Sequence, residues 1–355
     1  MAGLRQTTAR LVRQRRQWQE SLSPDTSRMA GRVIRDLQET EDFGPNPGNL
    51  RMLTYRPDDL PAAAPLVVIL HGCSQNAASL DAAAGWSALA EHFGFAVLLP
   101  EQRAANNRNG CFNWFLPGDA RRGRGEAGSI RSMIQRMAET DNLDRDRIFV
   151  AGFSAGGAMA SVLLATSPEV FSAGAIIAGL PFGSAANAQQ AFDGMFQGKS
   201  RPAREWAYLV RRASSHKGPW PRVSIWHGSA DAMVKPMNAG ELIKQWTEIH
   251  GLPLYPTEAE VSGRHQHRVW RGSDGVPLIE LHSITGMGHG IPIASDGAEE
   301  TGGAAGPFAL DVGISSSYRI ATFWGLARSP QEMLASNSQT TPAGAKVRRT
   351  LPLGS

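Results

Sequence analysis

The chain alternates short, continuous apolar runs with longer stretches in which apolar residues recur at helical spacing. A run of strand length that is apolar throughout is typical of a strand buried on both faces, as in a parallel sheet. Five such runs are predicted to be strands: Leu66–Leu70, Phe95–Pro100, Arg147–Phe153, Phe171–Gly179 and Val223–His227. The predicted helices are Leu80–His92, Glu126–Thr140, Ala155–Ala165, Ala239–Ile249 and Ser317–Ala327. This alternation favours an α/β fold with a mostly parallel sheet, whose ligands bind beyond the carboxyl ends of the strands.

The two ends of the chain and one internal stretch depart from this pattern. Residues 1–45 place apolar residues at loose helical spacing among arginines and are predicted to form a basic helical extension, which a Gly/Pro-rich cluster ends. Residues 46–328 are predicted to form the α/β domain, with an alternating strand at its start and a polar hairpin near Arg268–Ser283. Residues 183–221 are rich in aromatic and polar residues and are predicted to be a lid-like insertion over the sheet edge. Residues 329–355 are small, polar and basic, which predicts a flexible tail.

Composition narrows the class of protein. Hydrophobic residues make up 42% of the 355 residues and charged residues 19%. These values suit a globular protein and exclude a coiled coil, a collagen-like chain and a wholly disordered chain. The sequence has no stretch of about 18 apolar residues, so no integral membrane segment is predicted. Two cysteines are too few for a disulfide-dense scaffold or a four-cysteine zinc module.

The formal charge of +4 is small for this length, but it is unevenly distributed. The first 20 residues contain five arginines and one acidic residue. Basic chain ends are often simply solvated and have no further role. The more specific hypothesis is that these arginines contact an anionic surface. A nucleic-acid-binding function rests on these terminal arginines alone, so no nucleic-acid partner is predicted. No apolar core follows the N-terminal charges, so the sequence as written has no secretory signal and a cytoplasmic location is the default expectation.

The segment Gly152–Gly156 has the pattern GxSxG at the end of a predicted buried strand and the start of a small-residue helix. This strand–turn–helix context is the one that a nucleophilic serine at a sharp turn requires. Glycines two residues away on each side leave room for the turn, and the helix N-terminus directs free amides and its positive dipole end at a developing oxyanion. Ser154 is therefore the predicted nucleophile, and an ordinary glycine-rich turn is the alternative.

Asp231 is the predicted acid. A serine hydroxyl needs an imidazole as base, and the imidazole needs an acceptor that orients it. With a serine in this context the chain order is Ser, then Asp or Glu, then His. Asp231 follows the buried strand Val223–His227, whereas Asp193 and Asp274 follow no buried strand.

His289 is the predicted base because it lies between glycines directly after the strand Leu278–Ile284. Of the other histidines after Asp231, His265 and His267 lie in a polar turn and His282 falls inside the strand pattern. A metal site at His265-x-His267 finds no matching carboxylate or thiol cluster in the sequence, so no metal is predicted.

The first buried strand ends in His71-Gly72-Cys73-Ser74-Gln75. An acyl-transfer site needs two backbone donors for the tetrahedral oxygen, and removing one costs on the order of 3 kcal/mol of transition-state stabilisation. One predicted donor is the amide of Ala155, which follows the nucleophile. The other is the amide of Cys73, in the loop after this strand.

Five motifs together resemble the poly(3-hydroxybutyrate) depolymerase family of esterases, in the α/β-hydrolase superfamily. They are His71–Gln75, Pro100-Glu101-Gln102, Cys111-Phe112-Asn113-Trp114-Phe115, Gly152–Gly157 and Gly286-Met287-Gly288-His289. The resemblance covers about residues 50–327. It implies the triad Ser154, Asp231 and His289, oxyanion donation from the amides of Cys73 and Ala155, and no cofactor.

The resemblance also implies hydrolysis of carboxylic esters, including hydroxyalkanoate polymers or oligomers and feruloyl or acetyl esters. Soluble or oligomeric esters are expected over crystalline polymer, because no surface-binding domain is visible. A serine peptidase or acyltransferase on the same fold is the alternative, since these enzymes share the acyl-enzyme and differ in the acceptor. The oligomeric state is left open.

Asn113, Trp114 and Trp226 are predicted to line an apolar substrate groove, because such sites combine aromatic side chains with a few polar groups. The resemblance favours a disulfide between Cys73 and Cys111, which would join the oxyanion loop to the aromatic loop. Two free thiols, as expected in the cytosol, are the alternative. A disulfide would favour an extracellular or periplasmic location, so the compartment is left open.

Overall fold

The computed structural model of the chain describes residues 36–295 and 303–327. Within them, ten strands form one sheet in the order β1-β2-β4-β3-β5-β6-β7-β10-β9-β8. These strands are β1 (Gln38–Thr40), β2 (Arg51–Tyr55), β3 (Leu66–Leu70), β4 (Ala96–Glu101), β5 (Ile148–Phe153), β6 (Ala173–Ile177), β7 (Arg222–Gly228), β8 (Glu258–Ser262), β9 (His265–Arg271) and β10 (Pro277–Ile284). A separate parallel pair comprises β11 (Ile291–Ile293) and β12 (Ala309–Asp311).

Eight α-helices connect or follow these strands in the described residues. They are α1 (Ala77–Ala84), α2 (Trp86–Phe93), α3 (Gly125–Thr140), α4 (Ala155–Thr166), α5 (Ala188–Phe196), α6 (Ala203–Arg211), α7 (Met237–His250) and α8 (Ser316–Trp324). Across that same part of the chain, every helix is too short or too polar to cross a bilayer.

The six central strands, β4 to β10 in sheet order, run parallel, and antiparallel strands flank them on both sides. The predicted α/β fold with a mostly parallel sheet is confirmed. The five continuous apolar runs correspond to β3 through β7, because each of these strands is covered on both faces. In β3, for example, Leu66, Val68 and Leu70 pack into one apolar core, and Val67 and Ile69 pack into the other. Helices α3, α4, α6 and α7 complete the first core, and α1, α2 and α8 complete the second.

Three local predictions need correction. The predicted helix Leu80–His92 is two helices, α1 and α2, because Gly85 has a left-handed φ of 75° that ends the first. The N-terminal extension was predicted to reach residue 45, but β1 pairs with β2 and belongs to the main sheet. The polar hairpin is a three-stranded antiparallel unit, β8-β9-β10, whose last strand pairs in parallel with β7.

Residues 183–221, which were predicted to be a lid-like insertion, contain α5 and α6 between β6 and β7. Residues 1–35 of the basic extension and the tail 329–355 lie outside the described residues. The predictions made for those two segments therefore stay predictions.

The register of the parallel strands brings their carboxyl ends to one edge of the sheet. Leu70 at the end of β3 pairs with Gly152 near the end of β5. Phe153 pairs with Ile177 at the end of β6, which in turn pairs with Trp226 on β7. The loops that follow β3, β5, β7 and β10 consequently emerge side by side, and each carries a predicted functional residue.

Two helical glycines allow a matched test of this packing. A Cβ added to Gly156 would lie 2.1 Å from the Leu70 carbonyl oxygen, whereas one added to Gly240 on α7 meets nothing within 4 Å. We expect Gly156→Ala to lower the free energy of unfolding by about 1–3 kcal/mol or more, since backbone atoms must shift. Gly240→Ala should raise it by up to about 1 kcal/mol, since alanine is the better helix former.

Urea unfolding of both variants, followed by circular dichroism, measures the two changes. Equal effects of the same sign would contradict the role assigned to the close contact at Gly156.

Candidate active site

Ser154 occupies a strained turn between β5 and α4. Its φ of 56° and ψ of −116° lie in a region of backbone conformation that residues other than glycine rarely adopt. Such strain is typical of functional positions. Its amide donates a hydrogen bond to the carbonyl of Ile177 at 2.8 Å, which ties the turn to the end of β6. The flanking glycines are required sterically: a Cβ on Gly152 would lie 2.1 Å from the Gly156 carbonyl oxygen. The turn therefore presents the Ser154 hydroxyl at the N-terminus of α4.

His289 lies in hydrogen-bonding contact with Ser154. Its Nε2 is 2.9 Å from Ser154 Oγ, and its Nδ1 is 2.7 Å from Asp231 Oδ2. An ionised Asp231 accepts from Nδ1–H, so Nε2 is left as the acceptor for the serine proton. The imidazole also packs on the ring of Phe153, with centroids 4.9 Å apart. The structure thus brings together the three side chains predicted as nucleophile, base and acid.

Asp231 is buried and accepts hydrogen bonds at both oxygens. Oδ1 accepts from the amides of Met233 at 2.9 Å and Val234 at 2.8 Å. Oδ2 faces His289 and, at 3.4 Å, Nε2 of His227. Burial raises the pKa of Asp231, but the hydrogen bonds from His227 and His289 outweigh it, and the net pKa lies well below the usual range. The carboxyl group is therefore an anion at neutral pH.

The loop after β3 places Cys73 beside Ser154. Cys73, Ser154 and Ala155 border the same cavity. The Gln75 side chain accepts from the Gly72 amide at 2.9 Å, and the Ser74 amide donates to the Asn109 carbonyl at 2.8 Å. These bonds hold the loop in a fixed conformation in front of the N-terminus of α4.

Cys73 and Cys111 are joined by a disulfide, with Cα atoms 4.2 Å apart. The bond connects the loop after β3 to the loop that carries the aromatic motif. In a chain-entropy account, a cross-link closing a loop of this length stabilises the fold by about 4 kcal/mol. The bond therefore restrains two walls of the cavity at once.

The cavity beside Ser154 has a volume of about 190 Å³. Its walls combine aromatic, aliphatic and amide side chains: Trp114, Phe115, Phe192, Leu180, Met195, Val234, Asn107 and Asn109. Helix α5 of the insertion supplies four of the lining residues, Ala188, Ala191, Phe192 and Met195. Sequence reasoning missed Asn107 and Asn109, although their position just before Cys111 in a polar turn was an available signal.

Two of the predicted substrate-binding residues do not line this cavity. Trp226 is fully buried, donates to Ser224 Oγ, and stacks on His282 with ring centroids 3.7 Å apart. Its place in the strand alternation turns its side chain into the second core. Asn113 is also buried; its Nδ2 donates to Glu126 Oε1 at 2.8 Å, and its Oδ1 accepts from Asn107. Of the three predicted residues, only Trp114 faces the cavity.

Glu126 is a fully buried acid that binds Gln102 and the aromatic motif itself. It accepts hydrogen bonds from the Gln102 side chain and, at 2.7 Å, from the amide of Asn113. Burial raises the pKa of Glu126 to about 8, and the nearby charge of Asp119 adds to this, against the opposing effect of the hydrogen bonds. This group, which the sequence reasoning did not single out, links α3 to the wall of the cavity.

Comparison with known proteins identifies relatives along most of the chain. A family model described as Esterase PHB depolymerase matches residues 53–271. The chain is 44% identical to poly(3-hydroxyalkanoate) depolymerase C of Paucimonas lemoignei, over 82% of this chain and 70% of that protein. It is 35% identical to feruloyl esterase B of Thermothelomyces thermophilus, over 64% of this chain and 78% of that protein.

A solved structure, the acetyl xylan esterase from Aspergillus awamori, superposes with a TM-score of 0.70 at 25% identity and covers 82% of this chain and 100% of that one. The fold is accordingly that of the α/β-hydrolase esterases, as predicted. The family match covers more than half of the chain and includes β5, the strained turn and the disulfide. Its agreement with the geometry around Ser154 leads to one assignment: the chain belongs to the Esterase PHB depolymerase family and is a carboxylic ester hydrolase.

Proposed function

We propose that this protein hydrolyses short esters of hydroxyalkanoic acids, with Ser154 as nucleophile, His289 as general base and Asp231 as the orienting acid. The observation that carries the proposal is the continuous chain of hydrogen bonds from Asp231 through His289 to Ser154, beside an apolar cavity. The relative with 44% identity is a poly(3-hydroxyalkanoate) depolymerase, which supports this choice of acyl group.

The reaction follows from the hydrogen-bond chain. Ser154 Oγ attacks the ester carbonyl while His289 Nε2 takes the hydroxyl proton. The amides of Cys73 and Ala155 donate to the oxyanion that forms. The imidazolium then gives its proton to the leaving alkoxide, and an acyl-enzyme remains. Water attacks the acyl-enzyme in a second step, in which His289 again takes and returns a proton.

The charge of Asp231 supports the first step. The low pKa of this carboxyl group keeps it anionic, and an anion 2.7 Å from Nδ1 stabilises the imidazolium as it forms. The hydrogen bonds from Met233 and Val234 hold the carboxylate in place, so little reorganisation is needed when the proton moves.

The shape of the cavity supports a short acyl chain. Aromatic and aliphatic side chains form most of its walls, while Asn107 and Asn109 supply polar groups at its border. An acyl chain with an oxygen substituent has the same mixture of apolar and hydrogen-bonding groups. We propose further that α5 acts as the lid part of the insertion, because it supplies one wall of the cavity.

The nucleophile is tested by labelling. A fluorophosphonate should modify Ser154 of the wild type stoichiometrically, and Ser154→Ala should lose at least about 10³-fold in kcat because the attacking oxygen is gone. Peptide mapping by mass spectrometry and p-nitrophenyl butyrate hydrolysis measure the two effects. Ser132→Ala is the control, since within the described residues that hydroxyl bonds only the Gly128 carbonyl of its own helix. Labelling elsewhere, or near-wild-type turnover in Ser154→Ala, would refute the assignment.

The acyl cavity is tested with a chain-length series. Ala191 is buried on α5 and borders the cavity. Ala191→Leu should lower kcat/KM for p-nitrophenyl hexanoate at least about tenfold more than for the acetate, since the added methylenes occupy the space of the longer chain. Gln189→Leu, on the exposed side of α5, is the control and should leave the ratio unchanged. An unchanged ratio in Ala191→Leu would place the acyl chain elsewhere.

Wild type and both variants should also be assayed on 3-hydroxybutyrate oligomers, feruloyl esters and peptide anilides. Preference for the oligomers is the expected result. Faster hydrolysis of anilides would favour a peptidase.

Glu126 predicts a pH dependence of stability. Its pKa is about 8 in the fold, against 4.5 for an unperturbed glutamate, so between these values the unfolded chain loses a proton that the fold retains. The contribution of this group to stability is full below about pH 4.5 and is lost as pH rises through 8. We expect Glu126→Gln to remove this fall in the free energy of unfolding between pH 5 and 8, while Glu139→Gln, exposed on the same helix, keeps it. Urea titrations across this range measure the slopes, and parallel slopes in wild type and Glu126→Gln would contradict the assignment.

A further inference from the structure

A second cluster of reactive side chains lies on the sheet, apart from Ser154. Glu280 and His282 are two residues apart on β10, so their side chains project from the same face. His267 on β9 lies directly opposite His282 in the antiparallel register. One ligand atom from each of the three side chains falls within 4.8 Å of the others.

We propose that Glu280, His267 and His282 form a binding site for a divalent transition metal ion, with Zn²⁺ as the best match. His267 Nε2 is 3.1 Å from Glu280 Oε2, and His282 Nε2 is 3.2 Å from Glu280 Oε1. Two imidazoles and one carboxylate are a common zinc ligand set with three protein donors, and water completes a tetrahedron. The carboxylate that His265-x-His267 lacks in the linear sequence is supplied by the neighbouring strand.

The surrounding residues hold two of these ligands in position. His265 Nε2 is 2.8 Å from His282 Nδ1, which leaves Nε2 of His282 directed at Glu280. That Nε2 is buried and makes no well-directed hydrogen bond to any residue in the described part of the chain. Ser224 Oγ donates to Glu280 Oε1 at 2.6 Å. Hydrogen bonds of this kind fix the tautomer and orientation of metal ligands.

His267 provides the entry to the site. It borders a cavity of about 450 Å³ that also touches His265, Arg264 and Ile284 and shares no lining residue with the cavity at Ser154. The rings of His267 and His282 are stacked with 16° between their planes, so their in-plane lone pairs lie in nearly parallel planes and do not converge on one ion. Coordination therefore requires the His267 ring to turn about its Cβ–Cγ bond. Its side chain is 29% exposed, which leaves room for that rotation.

The site would act on stability rather than on the reaction. A metal ion bound here links β9 to β10, and β10 leads into the loop that carries His289. A ligand that binds only the folded state raises the unfolding temperature with its concentration. The inference is independent of the proposed substrate, since none of the three ligands borders the cavity at Ser154.

The test uses the full chain, treated with EDTA and dialysed. Isothermal titration with ZnCl₂ should give one site per chain, and CoCl₂ should give the visible absorption bands of tetrahedral cobalt. His267→Ala should weaken the binding of Zn²⁺ and of Co²⁺ at least about tenfold, because one of three protein ligands is lost. The His267 side chain is partly exposed, so His267→Ala is expected to fold, and circular dichroism checks this. The variant His267→Asp restores a ligand oxygen and should recover part of the affinity for the metal.

Two further variants locate the metal. His216→Ala, which removes a partly exposed histidine of residues 183–221, and His289→Ala, which removes the imidazole beside Ser154, should both bind zinc like the wild type. Absence of binding in the wild type would overturn the proposal. Unchanged binding in His267→Ala, or loss of binding in His289→Ala, would also overturn it, and the latter would place the ion at the active site.

Discussion

The close approach of three backbone segments at the carboxyl end of β5 is the constraint on which the site depends. Gly156 lies so near the Leu70 carbonyl, and Gly152 so near the Gly156 carbonyl, that no side chain fits at either position. This contact forces the chain from strand to helix within one residue, and Ser154 takes the strained conformation that results. The hydroxyl is therefore held by the packing of the core, and its position costs no ordering when a substrate binds.

Burial acts in opposite directions on the two carboxyl groups near the cavity. Desolvation raises the pKa of both Asp231 and Glu126. At Asp231 the imidazoles of His227 and His289 outweigh it, and the group is an anion that can stabilise an imidazolium. At Glu126 the partners are neutral amides and a nearby carboxyl group, so the raised pKa persists. The contrast arises from the partners: Asp231 lies beside two imidazoles, whereas Glu126 accepts hydrogen bonds from neutral amides of the scaffold.

Local patterns in the sequence predicted the features that depend on neighbouring residues. The apolar runs marked β3 to β7, and GxSxG after one of them marked Ser154, because both signals lie within a few residues. The strand-end positions of Asp231 and His289 followed from parallel topology, since all carboxyl ends share one edge.

The prediction that Trp226 lines the substrate groove was wrong. Its strand is buried on both faces, so the sequence has no polar face that would show which way each side chain points. Asn113 was misplaced because its partner, Glu126, lies on another element. The predicted helix Leu80–His92 is interrupted at Gly85, because that residue has a left-handed backbone conformation. The spacing of apolar residues does not reveal such a conformation.

The position of Trp226 and the cluster on β10 have a common cause. The face of β7 that carries Ser224 and Trp226 continues onto β10 as Glu280 and His282, and onto β9 as His267, because residues paired across strands share a face. Trp226 stacks on His282, and Ser224 donates to Glu280, so the side chain that was expected at the substrate instead supports the proposed metal ligands. One strand, β10, therefore connects both sites: its middle carries two of the proposed ligands, and its end leads to the loop that carries His289. A metal ion bound to its middle would restrain the strand that positions His289, without contacting the reacting groups.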